Sequence, residues 1–471
     1  MSVQKDEERA PLLGTVPRFK VDDVLNFIGF GPFQVAAYVM VGLTYMAYGF
    51  ETLLFAFISL KVQAEWSITA VQYANLPALT CLFNILGGVV LSYLSDHYSR
   101  VWPYAVSVVM IGVGGMASAF APDYTTFLLL RFFASFGVMG VPILAYPVLI
   151  EFLPMRNRGR VLVLVTLLPA LAACASGGLA WWLIPAYPVL GWRYFTAAIA
   201  LPSFVAAAGR MLFFYESPRF LVSQGKFTQA REVLVAMARM NGKRLGDLLP
   251  ESVPLQDMII PDSDVNNRGS SLPKLLTIFS RAYIRRTLCL SVAYVCLTAG
   301  YYCTTVFLPT LLTQLNLNPY FISFVSILGQ IPGIFLISIL TEWPCVGRLH
   351  TLRLMTLFTV AFFLLFAFVR NNISIPVSGI MIYFFMVPML PLMYTILSES
   401  YPTEIRAQAL NFFNTLSACF SLGLPYLGGY LVEQGIPWLF PSMAAALFFI
   451  QLVAAVFLNH ETRGMSLLDN V

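Results

Sequence analysis

The sequence predicts an all-α membrane protein of about twelve transmembrane helices arranged as two six-helix halves. Three observations predict it. Of 471 residues, 58% are hydrophobic and 11% charged, at a mean hydropathy of +0.76, against the roughly 25% charged fraction of ordinary soluble domains. Apolar stretches of ~20 residues, long enough to cross a ~30 Å hydrocarbon core as a helix, recur along nearly the whole chain. A single long polar stretch, 217–283, divides them six and six, the layout of a bundle built from two repeats.

Taken in order, residues 1–33 form a charged tail containing Lys5, Asp6, Glu7, Glu8 and Arg9. It lacks the early apolar core and small-residue cleavage site of a secretory signal and is expected to remain in the cytosol. The first half, 34–215, carries spans one to six at 34–60, 70–95, 101–120, 124–149, 160–184 and 191–215. Residues 216–283 form a cytosolic linker. In it Phe220, Leu221, Phe227, Ala230, Val233, Leu234 and Met237 recur at helical spacing among Arg219, Lys226, Arg231 and Arg239, the pattern of amphipathic helices lying on the cytosolic membrane interface. Residues 245–273, rich in Pro, Asp, Asn and Ser, read as a mobile connector. The second half, 284–458, carries spans seven to twelve at 284–312, 320–341, 351–369, 373–398, 408–432 and 437–458, and 459–471 form a C-terminal cytosolic tail.

Basic residues set the orientation. Arg100, Arg156, Arg158, Arg160, Arg348, Arg353 and Arg406 fall in alternate loops on the side of the tails, so the positive-inside rule places both termini in the cytosol. The opposite, far face is nearly bare, with Lys61 and Arg370 the main exceptions, and its loops are too short for a folded domain. The formal charge of +5 therefore reports topology. It implies a lipid bilayer as partner and no nucleic acid.

Several chemistries are excluded or unsupported. There is no Gly-x-x-x-x-Gly-Lys-Ser/Thr phosphate loop and no catalytic constellation, so no enzyme is expected. Cys289, Cys296 and Cys303 share a helix face but have no nearby His or carboxylate, so neither a metal nor another cofactor is indicated. Six of the seven cysteines sit in apolar runs, where a thiol behaves as a small hydrophobe. His97, His350 and His460 fall at helix ends, which leaves any intramembrane proton route to a carboxylate.

Motifs recur six spans apart. After span two the chain reads Ser92-Tyr-Leu-Ser-Asp96-His97-Tyr-Ser-Arg100, and after span eight Glu342-Trp-Pro-Cys-Val-Gly347-Arg348. After span four comes Glu151-Phe-Leu-Pro154-Met-Arg-Asn-Arg158, and after span ten Glu399-Ser-Tyr-Pro402-Thr-Glu-Ile-Arg406. With Glu216-Ser217-Pro218-Arg219 and Glu461-Thr462-Arg463-Gly464, these loops resemble the sugar and organic-ion porters of the major facilitator superfamily. Within it the chain is most similar to the synaptic vesicle glycoprotein 2 group, through Gly29-Phe-Gly31-Pro-Phe33-Gln34, Ala180-Trp181 with Ile184-Pro185, and Gly300-Tyr301-Tyr302. The resemblance implies a major facilitator fold and makes Asp96, Arg100, Glu151, Arg158, Glu216, Arg219, Glu342, Arg348, Glu399 and Arg406 cytosolic gating residues. Ser92, Ser99 and Val101 depart from the first-half pattern, and Glu342 stands two residues farther from Gly347-Arg348 than is usual. The long luminal domain of vertebrate members between spans seven and eight is missing.

A charge inside a span costs roughly 2.5 kcal/mol or more unless it finds a cavity or partner. Glu51 in span one and Arg131 in span four lie at comparable depth and can pair across the first half, either as a coupling device or as a static ion pair. Proton-coupled sugar porters pair an acid and an arginine in these spans, so the resemblance makes Glu51 the candidate proton carrier and Arg131 its modulator. Relatives carry a second acid where this chain has Tyr48; if coupling needs both, this protein is a uniporter. By the same resemblance Trp181 lines a central ligand site; otherwise it is an interfacial belt tryptophan. Tyr301 and Tyr302, with Tyr294 nearby, offer aromatic walls and hydroxyls. Asn411 and Asn414 read first as helix-packing polar groups and second as ligand contacts. Arg210, near the cytosolic end of span six, is expected to snorkel outward. In the tail, Glu8, Leu12 and Leu13 fit an acidic dileucine signal read by adaptor proteins, while Asn372-Ile-Ser374 lies too close to the membrane for glycosylation.

The expected function is secondary active transport of a small organic solute by alternating access, with protons as a candidate coupling ion, in a vesicular or endolysosomal membrane; the plasma membrane is the alternative location. A cavity holding Glu51, Trp181 and tyrosines suits an organic cation, a sugar or an aromatic acid. The rival expectation is a transporter-like vesicle receptor or trafficking scaffold.

Overall fold

The computed structural model describes the chain except for residues 1–20, 155–157, 213–214, 245–276, 282, 316, 343–346, 370, 372, 402, 437–438 and 459–471. Glu8, Leu12, Leu13, Asn372 and the 461–464 motif lie outside the described residues, as do the side chains of Asp96, Arg158, Glu342, Arg406 and Asn411. Regular structure among the described residues is helical. In hydrocarbon only intrachain hydrogen bonds can satisfy the peptide groups, and a helix satisfies them within one segment.

Eleven helical segments are long and apolar enough to span a bilayer: Pro32–Trp66, Ala70–Ser95, Val101–Ser118, Tyr124–Phe152, Leu167–Ala186, Ile284–Thr313, Pro319–Thr341, Gly347–Phe368, Ser374–Glu399, Phe412–Glu433 and Leu439–Phe457. The twelfth is Gly191–Leu212, span six. Its hydropathy is diluted by Arg193, Arg210 and many small residues, yet its 22 residues reach ~33 Å at 1.5 Å per residue, and it packs between spans one and three.

Several spans are interrupted. Span one breaks at Leu53, between Pro32–Thr52 and Leu54–Trp66, where the Thr52 hydroxyl donates to the Gly49 carbonyl at 2.8 Å. Span four passes through a π-helical turn, Val141–Ala145, at Pro142, whose ring offers no N–H to the helix ladder. Its repeat counterpart, span ten, breaks at Val387 and Pro388, and span eight breaks at Gly329. Close backbone approach is also repeated: a Cβ at Gly87 would collide with the Phe136 carbonyl, and one at Gly333 with that of Phe384. Spans two and eight thus lie against spans four and ten through glycine at matching positions, the small-residue packing that lipid-embedded helices favour.

The helices Pro218–Ser223 and Phe227–Met240 differ from expectation. Their apolar faces are not left for the bilayer: Ala230, Val233, Leu234, Met237 and Ala238 are buried with Val24, Leu25 and Ile28 of an additional helix, Val21–Ile28, and with Phe33. Asn241, just after Met240, fixes the arrangement. Its Oδ1 accepts from the Phe33 N–H at 3.1 Å, and its Nδ2 donates to Gln34 Oε1 at 2.8 Å and to the Gly29 carbonyl at 3.4 Å. A Cβ at Gly31 would overlap the Asn241 side chain, and Gly29, just after the helix Val21–Ile28, has φ +70, so close approach explains one glycine of the motif before span one and backbone conformation the other.

The halves meet mainly through spans two with eleven, five with eight, and one with seven. Tyr426 donates to Asn75 at 2.9 Å, Tyr302 to the Pro77 carbonyl at 3.2 Å and Cys81 to the Ala418 carbonyl at 3.6 Å. At mid-span, Gln330 donates to the Ala170 carbonyl at 3.1 Å and Cys174 to that of Ile327 at 3.7 Å. These contacts close the bundle towards the far face.

Asn241→Ala removes several part-buried hydrogen bonds, each worth about 1 kcal/mol. Backbone amides of 227–240 are expected to exchange with deuterium several-fold faster, with exchange in spans two to six unchanged; mass spectrometry of the exchanged peptides checks this.

Candidate functional site

Among the ion pairs of the described residues, one in the first half is buried on both sides. Glu51 (4% exposed) and Arg131 (1% exposed) are buried, and Arg131 Nη2 donates to Glu51 Oε2. The break at Leu53 follows Glu51 by two residues, and Gly115 of span three leaves room for the carboxylate: a Cβ there would sit 3.0 Å from Glu51 Oε1. Arg131 Nη1 lies 3.5 Å from the Ser118 hydroxyl, and its guanidinium stands 5.4 Å from the Phe55 ring. Glu51 Oε1 and Arg131 Nε have no hydrogen-bond partner among the described residues. The pair is therefore neutral as a whole yet incompletely satisfied, with one buried carboxylate oxygen that has no hydrogen-bond donor among the described residues.

Carrying the register of Arg100 with Arg348, and of Glu151 with Glu399, through the repeat places Gly379 of span ten opposite Arg131. A Cβ at Gly379 would press on the Ser326 hydroxyl at 2.5 Å. The charged pair thus belongs to one half alone.

Across the interface stands a group of tyrosines. Asn414 Oδ1 accepts from Tyr294 and from Tyr394, both at 2.7 Å, which fixes the two phenols side by side at 5.8 Å between centroids. Tyr48 of span one lies within electrostatic reach of Tyr394 and Tyr301 of the second half. Tyr302 is engaged with Pro77 instead. Tyr73 of span two donates to the Phe55 carbonyl at 2.6 Å and stands within electrostatic reach of both Arg131 and Tyr302, connecting the charged pair to the interface. Trp181 is separate: 43% exposed, it packs on Phe321 and, in parallel, on Phe324 of span eight, at 5.2 and 6.0 Å. Tyr394 was not singled out by the sequence; only its position after Pro388 and Pro391 in a kinked span could have drawn attention to it.

On the tail face each half carries an equivalent ion pair, Arg100 with Glu151 at 3.8 Å and Arg348 with Glu399. Glu216 accepts from the Ser99 hydroxyl at 2.5 Å and the Arg100 N–H at 3.2 Å, and Arg219 lies near Glu151. The substituted Ser99 thus makes a bond of its own in this cluster. Arg210 corrects the snorkelling expectation: it is 2% exposed and its guanidinium sits 5.0 Å over Tyr104, whose hydroxyl is 2.7 Å from that of Thr44. The far face is less bare than counted, because Arg193 at the start of span six binds Glu65 at 2.6 Å and the Ala121 carbonyl at 2.7 Å.

Comparison with known proteins bears on this arrangement. The chain matches the model of the family described as "Sugar (and other) transporter" over residues 36–469. Synaptic vesicle 2-related protein of Xenopus laevis is 27% identical over 481 residues, covering 96% of this chain and 83% of its own. Organic cation/carnitine transporter 7 of Arabidopsis thaliana is 32% identical over 232 residues, 48% of this chain and 45% of that protein. The crystal structure of D-xylose-proton symporter superposes with a TM-score of 0.70 at 15% identity, covering 92% of this chain and 99% of that one; at this identity the likeness shows the fold.

Removing one member of a buried ion pair leaves an uncompensated charge, at a cost of about 3–5 kcal/mol. Arg131→Leu is therefore expected to lower the thermal unfolding temperature markedly, and adding Glu51→Gln to it should recover much of the loss. Fluorescence-monitored melting of the purified variants in detergent reads both effects.

Proposed function

The chain belongs to the sugar (and other) transporter family, as a solute transporter and not an enzyme, and from that premise we propose that it moves a small organic solute by proton-coupled alternating access across a vesicular or endolysosomal membrane. Both termini and the 216–283 segment face the cytosol, and Glu8, Leu12 and Leu13 recruit sorting adaptors. The observation that carries the reading is the buried Glu51–Arg131 pair, whose Oε1 has no hydrogen-bond donor among the described residues. A proton on Glu51 cancels its attraction for Arg131, frees the guanidinium to find other acceptors, and so couples proton occupancy to the packing of spans one, three and four.

The contacts of Tyr302 with Pro77 and of Tyr426 with Asn75 support a state closed to the far side, in which the tyrosines around Asn414 face a solute admitted from the cytosol. Aromatic walls with hydroxyl and amide groups suit an organic cation or a neutral aromatic solute, since phenol faces attract cations. The name of the plant relative, an organic cation/carnitine transporter, agrees with that class. If the lumen is about two pH units more acidic than the cytosol, one proton supplies about 2.7 kcal/mol, enough for roughly hundredfold accumulation.

The test is uptake of a solute panel into proteoliposomes with and without a pH gradient. Gradient-stimulated uptake is expected in the native protein, and Glu51→Gln should abolish the stimulation while leaving exchange down a solute gradient. Stimulation that survives in Glu51→Gln would remove the proposed role of Glu51, and failure to move any solute would favour a receptor or scaffold.

A further inference from the structure

We infer that Glu433 is a gating residue that holds the far face shut by completing, from the opposite half, the N-terminal cap of span two. The inference rests on the alternating-access reading. Span two begins with a reciprocal capping box: the Gln72 N–H donates to Thr69 Oγ1 at 3.2 Å, and the Thr69 N–H donates to Gln72 Oε1 at 2.9 Å. The Tyr73 N–H donates to the Thr69 carbonyl at 2.9 Å. A capping box satisfies only part of the four donors that a helix start leaves without intrahelical partners. The Val71 N–H finds its acceptor outside its own half, in Glu433 Oε1 at 2.9 Å.

Glu433 is the last residue of the helix Leu424–Glu433, at the far end of span eleven. Its position there is set by a glycine: a Cβ at Gly429 would stand 2.7 Å from the Ala70 carbonyl oxygen and 3.0 Å from the Val71 Cα, so the two helices touch backbone to backbone one turn below the carboxylate. Tyr426 and Asn75 continue the contact inward. A carboxylate at a helix N-terminus gains from both the charge-assisted bond and the helix dipole.

When spans two and eleven separate, the hydroxyl contacts deeper in the seam can exchange for other partners. Val71 then exchanges the Glu433 carboxylate for water, a neutral acceptor, and the helix start loses its counter-charge. The bond therefore exists in one state of the cycle only, and its strength biases the resting protein towards that state. Because the site is exposed, salt weakens the bias.

The experiment measures the distance between spin labels at Val189 and Thr313, exposed far-face positions in the first and second half, attached by non-cysteine chemistry to the full chain in lipid nanodiscs. The native protein should show a dominant short distance and a minor long one. Glu433→Ala should raise the long-to-short ratio by about five- to tenfold, the scale expected for a lost helix cap. Glu433→Gln, which keeps an acceptor without the charge, should fall between, and high salt should narrow the gap between native and Glu433→Ala. Gln434→Ala should leave the ratio unchanged; an equal shift there would overturn the assignment by showing that any change at this helix end suffices. Two populations in the native protein that Glu433→Ala does not redistribute would overturn the latch and leave the transport reading standing. A single distance in every variant and condition would remove both together.

Discussion

A peptide N–H or C=O that meets hydrocarbon without a partner costs several kcal/mol, and the spans are arranged around that cost even where they break. At Leu53 the carbonyl still accepts from Phe57, at Gly329 the N–H reaches Ser326, and across Val387 the ladder continues through Tyr383 and Leu390. The breaks interrupt the helices without leaving the backbone bare. One of them falls two residues after Glu51, beside the side chain that meets Arg131.

Among the described residues the ion pairs lie inside each half, and the seam between the halves carries one charge-assisted bond, from Val71 to Glu433. The first half contains Glu51–Arg131, Arg100–Glu151 and Arg193–Glu65, and the second contains Arg348–Glu399. The seam between halves is built mostly of single hydroxyl, thiol and amide bonds and of aromatic stacking around Trp181. Charge-assisted bonds are roughly twice as strong as neutral ones, so the ion pairs within each half outweigh most of the single polar contacts across the seam. The helix Phe227–Met240 is fastened by Asn241 to the start of span one and so packs on the first half.

Much of this was legible in the sequence because it follows from cost or repetition. Glu51 and Arg131 stand out since a charge in an apolar run demands a partner, and the acid and arginine repeated six spans apart foreshadow the ion pairs at Glu151 and Glu399. What was not legible depends on how faces meet. The stripe of Phe227–Met240 has the same period whether it covers a membrane surface or a neighbouring helix, and only the presence of Val21–Ile28 decides. Arg210 lies close enough to a helix end to snorkel, and the ring of Tyr104 beneath it is supplied by span three. Tyr394 and Asn414 become a unit only after a kink brings spans ten and eleven to span seven. A pattern along one strand of sequence cannot encode such pairings.

The charged pair also marks an asymmetry. The two halves share glycine contacts and tail-face ion pairs, yet Arg131 in the first corresponds to Gly379 in the second, where a Cβ would press on Ser326. One half buries a charge at this position, and the other has a small residue that lets its helices lie close. The phenols held by Asn414 sit in the half without the pair, so substitutions among them would leave the contacts of the charged pair in place.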